Sequence, residues 1–68
     1  MFVVQGNRAV NIDHCEAIGV QNAAIKGMLP RNEYIPTTIA EFDTKEQAKE
    51  YLALILQAYA RGEKVFYC

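Results

Sequence analysis

Thr44–Arg61, TKEQAKEYLALILQAYAR, is the stretch whose reading decides the fold, because no other segment of the chain can form a long helix. Thr44 suits the N-cap, where its hydroxyl can accept a bond from an orphan amide of the first turn. Gln47, three residues on, completes a capping box of the T-x-x-Q kind. Asp43 and Glu46 place negative charge at the positive end of the helix dipole, and Arg61 places positive charge at the other. Gly62 supplies the left-handed residue that ends a helix at low cost. Eighteen residues at about 1.5 Å each give a rod of roughly 27 Å, enough to cross a small sheet.

At about 100° per residue, Ala48, Tyr51, Leu52, Ile55 and Tyr59 form one apolar stripe, with Leu56 and Ala58 at its margins. Lys45, Glu46, Lys49, Glu50, Gln57 and Arg61 lie on or near the other side. Leu54 projects about 100° from Ile55, toward the polar side, and with Leu56 it widens the apolar arc to about 200°. One sheet does not need so wide an arc. The excess predicts an oligomer interface at Leu54 and Leu56 with a second copy of the chain. The alternative is that Leu54 is an exposed leucine of the ordinary kind.

Working outward from the helix, the preceding chain reads as short strands. Met1–Gln5 is β-rich, and Gly6-Asn7 is a two-residue hairpin signal. Ala9–Ile12 returns, Asp13-His14 is a tight turn, and Cys15–Gln21 is a third strand. Gly19 in its middle suggests a bulge, a sharp bend or a close backbone approach. Asn22-Ala23 turns the chain into Ala24–Leu29, which Gly27 interrupts. Leu29–Glu33 is a loop by its Pro and Asn content. Tyr34–Phe42 is a fifth strand, with Thr37, Thr38 and Ile39 as its paired part and Pro36 confining its start to an edge or a kink. After Gly62, Glu63–Cys68 forms a last strand.

The order β-β-β-β-β-α-β, with connections of two to five residues, predicts an α+β fold. A strongly curved antiparallel sheet would pack on the single helix as a partly open barrel. Glycines at 19 and 27 would help that sheet coil.

Sixty-eight residues make one domain, residues 1–68. A chain this short buries only about 60% of its unfolded surface, so a partner subunit is the expected reinforcement, a dimer first. Two cysteines and one histidine give neither a secreted disulfide framework nor a sufficient metal-ligand set. Seven Lys and Arg against eight Asp and Glu, with no basic run, argue against nucleic-acid binding through phosphate contacts. No apolar run approaches the ~20 residues of a membrane span. MFVVQGNRAV lacks the basic region and long apolar stretch of a signal peptide. Free thiols without such a signal predict the cytosol.

Both ends of the chain carry a resemblance. MFVVQGNRAVNID opens with an apolar strand and a turn, and FDTKEQAKEYLALILQAYARGEKVFY joins a Thr-x-Glu-x-Ala helix to a Gly-containing turn and a Val-Phe-Tyr strand. In this the chain resembles the short proteins carried by bacteriophages and other mobile elements, especially of Gram-positive bacteria. The likeness covers roughly two-thirds of the chain and lapses between Gln21 and Pro36. It implies a small pleckstrin-homology-like fold in a host bacterial cytosol. It also implies counter-defence by stoichiometric binding, of a host defence protein or of a small signalling nucleotide. It carries over no catalytic residue.

Asp13-His14-Cys15 is the most reactive-looking cluster. Neighbours on an extended chain point to opposite faces, so His14 is badly placed to activate Cys15. A zinc site from His14, Cys15, Cys68 and a carboxylate has no standard spacing. No catalytic residue, metal or cofactor is therefore assigned, and the chain is read as a non-enzyme. Lys26–Pro36 mixes apolar residues with two cations, a composition suited either to a partner surface or to closing the end of the core. The candidate ligand- or partner-binding residues are Arg8, Lys26, Met28, Arg31 and Tyr34. Tyr51 and Tyr59 are expected in the core with hydroxyls at the rim. A nucleotide ligand predicts a pocket with a cation and an aromatic ring. A protein target predicts an exposed Met/Leu/Tyr patch near residues 28–35. A module whose homo-oligomerisation is itself the function is the alternative.

Overall fold

The computed structural model describes residues 1–30 and 35–68. Among the described residues, six strands and one α-helix follow the expected order: β1 (Phe2–Gln5), β2 (Arg8–Asn11), a 3-10 turn (Ile12–His14), β3 (Ala17–Gln21), β4 (Ala24–Met28), β5 (Thr37–Glu41), α1 (Lys45–Ala60) and β6 (Val65–Tyr67). The fold is α+β, but the strands form two three-stranded sheets, β2-β1-β6 and β3-β4-β5, and do not close into a barrel. The single antiparallel sheet expected from short connections is corrected at β6, which runs parallel to β1 with Phe2 opposite Val65 and Val4 opposite Tyr67. The helix explains the reversal, because it carries the chain back across the molecule and β6 then starts where β1 starts.

Both hairpins turn on a residue with positive φ, Gly6 at 57° and Asn22 at 56°. Glycine takes that conformation freely, and Asn is among the few other residues that tolerate it. Asn11 caps the 3-10 turn by accepting from the Asp13 amide at 3.1 Å.

The helix ends follow the sequence closely. Thr44 Oγ1 accepts from the Gln47 amide at 3.1 Å. Gln47 Oε1 reaches back one residue past the cap and accepts from the Asp43 amide at 3.1 Å. At the C-terminus the Glu63 amide donates to Ala58 O and the Gly62 amide to Tyr59 O. With Gly62 at φ 79°, this is the Schellman arrangement.

The core comprises Met1, Val3, Ile12, Ile25, Ile39, Ala48, Ile55 and Ala58. The helix buries a stripe slightly rotated from the expected one. Ala58 is fully buried, and Tyr59 is 48% exposed rather than in the core. Tyr51 accounts for the rotation: it stacks on Phe42 at 4.8 Å and meets Phe66 edge-on at 6.5 Å, drawing the helix toward its own flank.

The irregular pairing also lies elsewhere than expected. β3 pairs with β4 without a break through Gly19. The register shift falls between β4 and β5, where Ile25 faces Ala40 and Lys26 faces Thr38. The extra residue on β5 lets consecutive Ile39 and Ala40 both be buried. Gly27 is buried for a different reason: a Cβ there would lie 2.7 Å from Cys15 Sγ and 2.9 Å from Ile39 Cδ1.

The two sheets meet at a side-chain joint. Gln5 Nε2 donates to Glu41 O at 2.7 Å, and the Glu41 amide donates to Gln5 Oε1 at 2.8 Å. The amide of Gln5 thus substitutes for one residue of a neighbouring strand along the outer edge of β5.

Candidate functional site

Alternation along each strand sorts its side chains between core and solvent. In the first sheet, Val3, Val10 and Phe66 face the core. Phe2, Val4, Ala9, Asn11, Val65 and Tyr67 therefore share the outer face, where cross-strand pairing sets Phe2 beside Val65 and Val4 beside Tyr67. Tyr67 is 74% exposed, Phe2 46% and Val65 39%. Three large apolar side chains thus lie together on a solvent-facing sheet surface, an arrangement that marks contact sites. The sequence carries a signal for this surface that the candidate residues missed. Phe-Val-Val and Val-Phe-Tyr are unbroken apolar runs, the pattern of strands covered on both faces rather than on one.

The second sheet presents a different outer face. Ile18, Val20 and Ile25 turn inward, leaving Ala17, Gly19, Gln21, Ala24, Lys26, Met28 and Thr38 outside by register. Lys26 Nζ donates to Thr38 Oγ1 at 2.8 Å across that face. Lys26 and Met28 line one shallow groove of about 260 Å³ with β3 and Pro36. The structure thus brings two of the expected binding residues together. Arg8 is in the other sheet, opposite Gln5, and Arg31 and Tyr34 lie outside the described residues. Ile35, beside that segment, is 71% exposed.

Leu54 and Leu56 are both 47% exposed. Two residues apart on a helix is about 200° of rotation, so they sit on opposite flanks of the buried stripe. Leu56 lines a groove of about 290 Å³ with Ile12, Cys15, Ile18 and Tyr59, along the side of β3 that faces the helix, and Asp13 and Glu16 add two carboxylates to it.

A wider groove of about 510 Å³ lies between the start of β1 and the end of the helix, lined by Met1, Phe2, Asn11, Asp13, Tyr59, Gly62, Glu63 and Lys64. It holds a lysine and two aromatic rings, but also two carboxylates. The Met1 ammonium donates to the Asp13 carboxylate at 2.8 Å, and this bond holds the Asp13 carboxyl below its ordinary range. Hydrogen bonding to Asp13, with the carboxylate charge, raises the Tyr59 phenol. Arg61 is committed to Glu63, with an N–O distance of 2.6 Å. Desolvation raises the thiols of half-buried Cys15 and of the exposed Cys68, which favours the protonated form of each. Among the described residues, no three His, Cys, Asp or Glu side chains are grouped to hold a metal ion, and no helix is long and apolar enough to cross a membrane.

No family model, curated protein or solved structure matches this chain.

Proposed function

We propose that this chain is a non-enzymatic binding protein that acts stoichiometrically, and that it serves a bacteriophage or mobile element by blocking a host defence protein in the bacterial cytosol. The observation that carries the binding role is the outer face of the first sheet, where Phe2, Val65 and Tyr67 are presented together to solvent. Aromatic residues at the centre of a desolvated patch supply most of the energy in protein contacts. The setting, and the kinship with small pleckstrin-homology-like domains, rest on the resemblance of the two ends of the chain.

A protein target fits better than a signalling nucleotide. The groove with a lysine and aromatic rings also carries Asp13 and Glu63, and carboxylates repel a phosphate. Lys26 has a neutral surround, but it is tied to Thr38 and its groove has no aromatic ring among its lining residues. A second reading, an assembly module, is supported by the half-exposed Leu54 and Leu56.

Native mass spectrometry of the protein recovered from bacterial cells tests the proposal, with Tyr67→Lys as the comparison. At 74% exposure Tyr67 can be replaced with little effect on stability. The wild type should carry one cellular protein in fixed ratio, and Tyr67→Lys should lose it. A retained nucleotide, a partner indifferent to Tyr67→Lys, or copies of the chain alone would overturn the reading.

A further inference from the structure

Two sheets of three strands leave four lateral edges, and three of them are blunted by recognisable means. β5 has its outward Glu41 amide and carbonyl occupied by the Gln5 side chain. β6 has three residues, the fewest of any strand, and shortness is a common protection. β2 is only four residues long, begins with the charged Arg8 and lies close to β5. β3 is the exception. Its five residues, Ala-Ile-Gly-Val-Gln, include no proline, no lysine and no inward charge, which are the usual devices against pairing.

The backbone of β3 is set up for pairing. β3 and β4 are joined by two residues, with Gln21 opposite Ala24. In such a hairpin the residues flanking the turn exchange both hydrogen bonds, and bonded pairs then alternate along the ladder. Ala17, Gly19 and Gln21 thus spend their amides and carbonyls on β4. Those of Ile18 and Val20 point outward, where no described strand pairs with them.

We infer that a second copy of this chain pairs antiparallel along β3, about a two-fold axis through Gly19. The register follows from the outward groups. Ile18 of one copy meets Val20 of the other, each pair exchanging two backbone bonds, and Gly19 meets Gly19 at the axis. A glycine suits that position because directly opposed residues there have Cα atoms only about 4.5 Å apart. Ala17 falls opposite Gln21 and Glu16 opposite Asn22, so no like charges face each other. The two Lys26 side chains, three strand spacings apart, are separated by about 14 Å.

The side chains along the edge suit the same occupant. On the helix side a groove lined by Ile12, Cys15, Ala17, Ile18, Leu56 and Tyr59, with the carboxylates Asp13 and Glu16, runs beside the first half of β3, and the two-fold sets the two copies' grooves, with their carboxylates, toward opposite ends of the shared edge. β-branched Ile18 and Val20 pair favourably across strands. Use of the same edge by both copies closes the assembly at a dimer with one continuous six-stranded sheet. Leu54, on the other flank of the helix, takes no part.

A charge-swap experiment at Gly19 tests this pairing. Its outer face is open, with nothing within 4 Å of an added Cβ and no positive φ, so side chains there leave the monomer fold intact. Sedimentation equilibrium should find the wild type dimeric, and Gly19→Lys and Gly19→Glu each monomeric at the same concentration with unchanged circular dichroism. Mixing the two variants should restore a dimer containing one of each. A monomeric wild type, a dimer unaffected by Gly19→Lys, or a mixture that stays monomeric would overturn the inference. Leu54→Glu should leave the dimer intact.

Discussion

The first sheet exposes its face and protects its edge, whereas the second does the reverse. Phe2, Val65 and Tyr67 stand out from the first sheet, whose free strand β6 is three residues long. The second sheet shows solvent small and polar groups around Gly19, Lys26 and Thr38, yet its strand β3 offers an unguarded backbone. A face binds through side chains and selects shape. An edge binds through backbone hydrogen bonds and selects an extended strand. On the two proposals made above, a 68-residue chain would meet one partner through a face and another through an edge.

The largest effect expected from breaking this arrangement comes from the two glycines of the second sheet. Gly27→Ala should cost about 1–3 kcal/mol, because the new methyl meets Cys15 Sγ and Ile39 Cδ1 inside a filled core. Gly19→Ala, on the open face, should stay within about 0.5 kcal/mol. Urea denaturation of both variants measures the contrast, and equal costs would show that the faces are wrongly assigned. Gln5→Ala should come next. It removes both bonds that join the sheets, at about 0.5–1.5 kcal/mol since water can replace each partner, and it uncovers the β5 edge. A fall in the urea midpoint together with new concentration-dependent association would be the signature.

The smallest effect is on pH dependence. The folded pKa of Asp13 lies below its ordinary value near 3.8, through its bond with the Met1 ammonium. The ionised form therefore favours the fold. This contribution is present above about pH 3.8 and disappears as pH falls through the lower folded value. Asp13→Asn should remove that contribution, so its stability curve runs slightly below the wild type's by a constant amount above that pH, neutrality included, and meets it as the acid limb flattens below. Thermal melts across the acid range would read it.

What was legible in the sequence was what local chemistry decides. The helix termini could be read because Thr44, Gln47 and Gly62 act on amides within a few residues of themselves. The hairpins could be read because Gly6 and Asn22 carry the backbone conformation that the turns require. Pairing between distant segments could not. Nothing in Phe2–Gln5 announces that Val65–Tyr67 will lie parallel beside it, and that pairing is what divides the strands into two sheets. The inward extra residue at Ile39–Ala40 likewise depends on the register with β4.

Of the candidate site, Lys26 and Met28 do share a groove, since residues two apart on a strand face the same way. Arg8 could not be placed without knowing which sheet its strand would join. For Gly19 the sequence suggests a bulge, a sharp bend or a close backbone approach, and the unbroken pairing of β3 with β4 through it shows no bulge there. The edge pairing inferred above would give it the close approach, with the second backbone supplied by another copy.

Amide hydrogen exchange at Ile18 and Val20 tests the edge pairing most directly. In the monomer neither amide has a strand to donate to, so both should exchange as freely as Val65 and Tyr67 on the outer edge of β6. The account predicts slow exchange at Ile18 and Val20 in the wild type at concentrations where it is dimeric, and fast exchange in Gly19→Lys, with Val65 and Tyr67 fast in both. Fast exchange at Ile18 and Val20 in the wild-type dimer would contradict it.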